Sequence, residues 1–330
     1  MTEIEIIRMI SGKFPRSDQQ LNKLFECDAE LLRIGEQIWG LSMDEFSPGE
    51  DFFTSDQPRV LGANLAVATL SDLFAAGVEP RFFMHSLSVP KTVSSFFLKE
   101  LTDGIQSVLG QARCFLCGGD LGTADTWRYC GFAMGPVGAA APITRKLAGT
   151  SKTLWITGQL GDANLAVLNQ TSTPAFELRL REAELIRKYA NGCIDTSGGL
   201  MDALWTLHLL NPQLQINLHA EKIPFAHALR AYPLPPGIPL EAALVGGAGE
   251  YELLFATPDD LSSTARAGLE SMDITAIADL SINATPGLFI CRNNEPLRAM
   301  TTPPPCPREI ESITEYVHAV AGFAANLFKG

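Results

Sequence analysis

Basic residues are scarce in this chain. Lysine and arginine number 25 against 37 aspartates and glutamates, a net charge of −12. Phosphate backbones are held by basic patches, so a nucleic-acid partner is not expected. An acidic protein can still bind a nucleotide when Mg²⁺ bridges its carboxylates to the phosphates. No apolar run reaches the roughly 18 residues of a membrane span, so no membrane partner is expected either. The N-terminal "MTEIEIIRMI" carries acids and lacks the apolar core of a secretion signal. The seven cysteines are scattered and odd in number. That argues against a complete disulfide framework and for a cytoplasmic protein with reduced thiols. Cys114 and Cys117 make a lone C-x-x-C without a second pair of zinc ligands. A redox pair and a buried strand using small thiols both fit it, and the apolar context favours the strand. His85, His208, His219, His227 and His318 share no spacing for a metal or a catalytic triad and read as structural.

What is present is an ordinary globular composition, 46% apolar and 19% charged over 330 residues, enough for about two domains. Residues 58–80 have helix length and end on a glycine and a proline; 81–89 read as a strand. In 94–112, Phe97, Leu101, Ile105 and Val108 fall on one helical face. "CFLCGG" and "RYCGFAMGPV" read as buried strands. The stretch 139–152 loses periodicity and marks a junction, giving expected domains at 1–145 and 146–330. Beyond it, 153–162 reads as a strand running into a glycine turn. Residues 175–190 read as a charged amphipathic helix and 232–240 as a proline-rich loop. "YELLFA" and "GLFICR" read as strands, and the tail from Arg308 as a helix.

The informative pattern is a set of acids beside glycines or hydroxyls where apolar segments begin or end. Asp44 lies in "GLSMDEF", Asp72 in "ATLSDLFAAG", Asp120 closes "CFLCGGD", and Asp195 opens "DTSGGL". Glycines let backbone amides approach phosphate oxygens. Hard carboxylate oxygens suit Mg²⁺. An acid before a helix is ordinarily an N-cap. Asp72 is different, because it falls inside an apolar helix, where an acid is costly unless it faces a site.

Six segments, in order, carry a resemblance: "SMDEFSPGEDFF", "LAVATLSDLFAAGVEP", "CGGD", "ITRKLAGTSKTLWITGQLGD", "IDTSGGL" and "GAGEYELLF". Over about residues 25 to 290 they resemble the motifs of the thiamine-monophosphate kinase family. Those motifs are S-T-D-x-x-V-E-G-x-H-F, N-L-S-D-L-A-A-M-G-A-x-P, G-G-D-T-T, V-T-G-x-x-G-D, D-I-S-D-G-L and G-E-D-Y-E-L. That family shares a superfamily with aminoimidazole ribonucleotide synthase, selenophosphate synthetase and a hydrogenase maturation factor. The resemblance implies an α/β (α+β) chain of two domains. The N-terminal one would bind ATP and Mg²⁺ and form a shared β-barrel in a homodimer. It implies Asp28, Asp44, Asp72, Asp120 and Asp195 as metal ligands, with Asp195 and Ser197 at the reacting end. Gly118, Gly119, Asp120, Thr123, Arg145, Gly161 and Asp162 would serve the nucleotide. Glu250 and Tyr251 either line an acceptor pocket or hold the edge of a strand.

Several positions depart from those motifs. G-D-D-A is Glu26-Cys27-Asp28-Ala29, the second acid of D-I-S-D-G-L is Gly198, and the histidine of G-x-H-F is Asp51. The resemblance implies an ATP-dependent phosphotransferase acting on a small acceptor, with activity on thiamine monophosphate in doubt. The alternatives are another ATP-dependent synthase of the superfamily, like aminoimidazole ribonucleotide synthase, and a non-catalytic nucleotide-binding homologue.

Overall fold

The segment 58–80 begins with proline at its first helical position and continues almost without charge. It forms a helix buried on nearly every side, because it lies between the two halves of the molecule. The computed structural model describes residues 3–138, 141–231, 234–259, 261–282 and 285–329. The first half contains α1 (Glu3–Ser11), β1 (Glu30–Ile34), β2 (Gln37–Phe46) and α2 (Pro58–Ala75). It continues with β3 (Phe82–Val89), α3 (Ser95–Ala112), β4 (Phe115–Thr123) and β5 (Arg128–Pro136). These strands form one open sheet in the order β1-β2-β5-β3-β4, mostly antiparallel, with β3 and β4 parallel across α3.

Two glycines let α2 and α3 touch backbone to backbone. A Cβ on Gly62 would lie 2.0 Å from the Leu101 carbonyl oxygen, and one on Gly104 would lie 2.1 Å from that of Arg59. Leu101, Ile105 and Val108 are buried on the face expected for α3, while Phe97 is half-buried at its margin.

The second half contains β6 (Ser151–Ile156), α4 (Asp162–Asn169), α5 (Leu180–Tyr189), β7 (Gly192–Asp195), α6 (Leu200–Leu210) and β8 (Gln215–His219). Then come α7 (Ala228–Ala231), α8 (Ala242–Val245), β9 (Leu253–Pro258), α9 (Ser263–Glu270), β10 (Thr275–Ser281), β11 (Gly287–Arg292), β12 (Glu295–Met300) and α10 (Ile313–Phe328). Its sheet has the order β12-β11-β8-β10-β6-β9-β7. The first sheet ends at Pro136 and the second begins at Ser151. The first core nonetheless reaches Trp155, Ile186, Tyr251 and Phe255 of the second half. Helix α2 touches β7, β9 and α5, so it is the shared wall of both halves. Among the described residues, no helix is long and apolar enough to cross a membrane.

Five expectations are corrected. β4 is exposed along nearly its whole length rather than buried, because it is the sheet edge; Cys114 is buried but Cys117 is not. β5 alternates between buried and half-buried residues, since only one face meets α2. The helix expected from 175 begins at Leu180, because Arg179 before it is tied by ion pairs to Glu177 and Glu252 and has a non-helical backbone. In "YELLFA" the strand begins at Leu253, because Tyr251 has φ +57°. The tail helix likewise begins at Ile313, capped by Ser312, five residues beyond Arg308. Residues 139–140 of the expected junction and 232–233 of the proline-rich loop lie outside the described residues.

The close helix contact makes a stability prediction. The atom facing Gly62 is a helical carbonyl oxygen, which cannot move aside as a flexible side chain would. Gly62→Ala is therefore expected to cost about 1–3 kcal/mol, read as a lowered urea midpoint at unchanged slope. A midpoint equal to wild type would show that the two helices separate freely.

Candidate functional site

Strand β7 ends in Asp195, and the chain turns through Thr196, Ser197 and Gly198 before α6 begins. Gly199 is the hinge of that turn, with φ +85°, and a Cβ there would lie 2.4 Å from the Gly246 carbonyl oxygen. Gly249 meets the turn from the other side, where a Cβ would lie 2.2 Å from the Ser197 carbonyl oxygen. The glycines of "DTSGGL" and "GAGEYE" therefore let two loops lie backbone against backbone. The Ser197 hydroxyl donates to Asp195 Oδ1 at 2.8 Å, and the Ser71 hydroxyl donates to Asp195 Oδ2 at 2.5 Å. Asp195 is thereby aimed at α2.

Opposite it stands Asp72, on the inner side of α2, whose Oδ2 accepts from the Ser42 hydroxyl at 2.6 Å. Asp28, just ahead of β1, completes a trio with Asp72 and Asp195, one oxygen of each lying within 4.8 Å of the others. Asp28 Oδ1 is paired with the Arg145 guanidinium at 2.7 Å, while its Oδ2 is buried without a partner. Three carboxylates and one guanidinium leave two negative charges in a small space. An orphaned carboxylate oxygen, hard donors and that excess charge fit a divalent cation such as Mg²⁺.

Above the trio opens a cavity of 340 Å³, lined by Asp44, Asp51, Asp72, Asp195, Ser197, Asp202 and Tyr251 among others. Burial, reinforced by the neighbouring acids, raises Asp72 well above the usual carboxylate range and pushes Asp44 to about 7. Burial and Asp28 push Asp195 to about 6. Asp51 is raised to about 6 by burial, against the Ser47 amide, which donates to it at 2.7 Å.

The sequence candidates fall into three places. Asp28, Asp44, Asp72, Asp195, Ser197 and Tyr251 meet at or around this cavity. Arg145 reaches the group from below, through Asp28. Glu250, Gly161 and Asp162 meet elsewhere: Glu250 Oε1 accepts from the Gly161 and Ala163 amides at 2.9 and 3.2 Å, capping α4. Glu250 and Asp162 line a second cavity of 520 Å³ with Arg179 and Glu252. Gly118, Gly119, Asp120 and Thr123 lie along β4, outside both cavities.

Residues that sequence reasoning did not single out also shape the site. Ser42 had no signal beyond standing two residues before Asp44. Arg308 had none either.

Residues 26–137 match the family model for the AIR synthase related protein, N-terminal domain. The thiamine-monophosphate kinase of Archaeoglobus fulgidus is 26% identical over 267 residues, covering 77% of this chain and 85% of that protein. The thiamine-monophosphate kinase of Escherichia coli strain K12 is 28% identical over 293 residues, 82% of this chain and 87% of that protein. Among solved structures, AaThiL complexed with AMPPCP and TMP superposes with a TM-score of 0.71 at 21% identity, over 87% of this chain and 91% of that one. HypE in complex with ATP superposes with a TM-score of 0.64 at 16% identity, over 85% and 89%. At these identities the structures establish a common fold.

The raised carboxylates set the pH dependence of the metal-free protein. A folded-state pKa above the unfolded value means that the folded chain holds protons the unfolded chain has released. The associated stability is complete below the ordinary value near 3.8 and is lost as pH rises towards 6 and 7. The metal-free protein is therefore expected to melt at a lower temperature at pH 7.5 than at pH 5.5. Asp72→Asn, which removes one repelling charge, should flatten that slope. Thermal melts in chelator that show the same slope in both proteins would disprove the coupling.

Proposed function

We propose that this chain, a thiamine-monophosphate kinase-like member of the AIR synthase-related superfamily, is an ATP-dependent phosphotransferase acting on a small, phosphorylated heterocyclic acceptor. The observation that carries the reading is the trio Asp28, Asp72 and Asp195, doubly negative beside Arg145, at the floor of an open acidic cavity. Such a floor repels a bare nucleotide and attracts a metal-bound one. Asp28, Asp72 and Asp195 would hold Mg²⁺, with Asp44 facing it across the cavity. A bound Mg²⁺ supplies neutralisation of the phosphate charge and alignment of the attacking and leaving oxygens. The chain's own part is positioning. Ser71, Ser42 and Ser197 fix the carboxylates, and Ser197 and Gly198 line the cavity beside them. The acceptor oxygen bonds to the γ-phosphorus as the bond to the ADP oxygen breaks.

Gly198 stands where the resembling kinase motif carries a carboxylate. A Cβ at 198 would lie 2.6 Å from Asp202 Oδ2, so the Asp202 carboxylate, one helical turn on, already fills the space beside it. We assign to Asp202 the role left open at 198.

The edge strand supports a homodimer. Phe115, Leu116 and Leu121 of β4 and Phe82 and Met84 of β3 are exposed, an apolar edge that a second copy would cover by closing a shared barrel. In that assembly Gly118, Gly119, Asp120 and Thr123 would serve the nucleotide from the paired edge. The seven free cysteines support a reducing, cytoplasmic setting.

Four outcomes are expected. The wild type binds Mg-ATP and forms ADP with a phosphorylated acceptor, thiamine monophosphate being the first to try, whereas Asp195→Asn binds no nucleotide at millimolar Mg²⁺. ADP released with free phosphate, and no phosphorylated acceptor, would assign a synthase instead. Asp202→Asn keeps nucleotide affinity but loses turnover by roughly 10²-fold, the usual cost of one electrostatic stabiliser. Gly198→Asp gains nothing, because two carboxylates would share one space; a gain would refute the substitute role. Finally, sedimentation should give twice the 35.7 kDa chain mass at micromolar concentration, and a stable monomer would remove the shared barrel.

A further inference from the structure

Between β12 and α10 the chain runs "TTPPPCPREIES", and residues 304–308 of this run form one wall of the acidic cavity. Its prolines at 303, 304, 305 and 307 fix φ along the run, and its end turns into a short 3₁₀ helix at Pro307–Glu309, so this wall is stiff. It is also clamped. Pro307 lies over Gly247, where a Cβ would come within 3.0 Å of the proline ring. The Gly247 amide donates to the Tyr316 hydroxyl of α10, and Tyr316 stacks on Phe52, with ring centroids 5.6 Å apart. The strap from the second half is thus pinned against the loop that follows β2 in the first half.

Arg308 closes the strap. Its Nε lies 3.7 Å from Glu50 Oε2, with both side chains well exposed. Its charge also bears on Asp44 and Asp51, opposing the rise that burial gives both. Among the described residues lining this cavity there are seven carboxylates and one guanidinium, that of Arg308. The trio at the floor is placed for a metal-bound nucleotide. Without Arg308, every ionisable side chain of the Asp, Glu, Lys, Arg or His kind that an anionic acceptor met in this lining would be a carboxylate. An exposed ion pair at this distance stabilises little, so exchanging Glu50 for a phosphate oxygen fork costs little.

We propose that the 304–308 strap is the acceptor wall of the cavity and that Arg308 anchors an acceptor bearing a phosphate monoester. This rests on the phosphotransferase reading above and adds to it which wall reads the acceptor, and by which group. Arginine suits the task because its planar fork matches phosphate geometry.

The test is equilibrium binding at saturating Mg-AMPPCP to wild type, Arg308→Gln and Arg308→Lys, with thiamine monophosphate, thiamine and inorganic phosphate as separate probes. Wild type should bind thiamine monophosphate more tightly than thiamine. Arg308→Gln should weaken the phosphate-bearing probe by roughly tenfold or more, as expected for losing a charge-assisted fork. Arg308→Lys should fall between, and Mg-AMPPCP affinity should be the same in all three. Weakening of inorganic phosphate together with thiamine monophosphate, with thiamine unchanged, would place the anchor on the phosphate rather than the ring and also supports the proposal. Three results would overturn it: equal acceptor binding by wild type and Arg308→Gln; no phosphate-dependent binding by wild type; or loss of Mg-AMPPCP affinity in Arg308→Gln, which would move Arg308 to the nucleotide. A wild type that binds no Mg-AMPPCP would instead sink the phosphotransferase reading itself.

Discussion

The mutual repulsion of buried carboxylates governs the arrangement of this molecule. Asp28, Asp72 and Asp195 come from three separate parts of the chain, yet one oxygen of each lies within 4.8 Å of the others. Like charges at that distance oppose folding unless they are protonated, neutralised or bound to a cation. Arg145 neutralises one, and the hydroxyls of Ser71 and Ser42 satisfy oxygens of the other two. What remains must be supplied from solution. The two halves carry this shared cost together, because α2 bears Asp72 towards one sheet while packing on β7 and β9 of the other. A helix buried on nearly every side would not otherwise carry an acid in its middle.

That acid was legible in the sequence for this reason. Asp72 interrupts an otherwise apolar helix, and Asp195 lies at a strand-to-helix turn rich in glycine. Both are local conflicts that a site resolves. The central helix, β3, the buried face of α3 and the strand before Asp195 were equally legible, since periodicity and turn residues record local geometry. The exposure of β4 was not. Its apolar composition reads as buried in any scan along the chain, and whether it is covered depends on which strand lies next to it in the sheet. The late start of α5 escaped for a related reason: Arg179 looks like a helix residue, but Glu252, more than seventy positions away, holds it. Arg308 sits in a segment whose composition signals only proline, so its part in the cavity comes from tertiary placement alone.

Glu250 shows how one residue type divides its work. Its motif stands close to the tyrosine that lines the acid cavity, yet its carboxylate receives the first amides of α4 and faces another space. Burial pushes it to about 8, and those amides oppose the rise. Glu252, two residues on, is raised to about 7 by burial and held down by Arg179, whose fork it accepts. These acids orient α4 and the segment leading into α5, and so fix the loop from Gly246 to Glu252 against the Asp195 turn. The glycine at 249 permits that contact, and the carboxylates on either side of Tyr251 secure it.

The departures from the kinase motifs follow the same division between floor and walls. The carboxylates of the floor are present, together with Arg145 and the serines that aim them. Two of the changes, Gly198 beside Asp202 and Asp51 on the loop after β2, fall on the rim, while Cys27 stands next to Asp28 without removing its carboxylate. Altering any one floor residue unbalances a charge cluster that opposes folding even when complete. A change on the rim, such as Gly198 beside the Asp202 carboxylate, leaves the balance of that cluster untouched, because it removes none of the three acids or the guanidinium that set it.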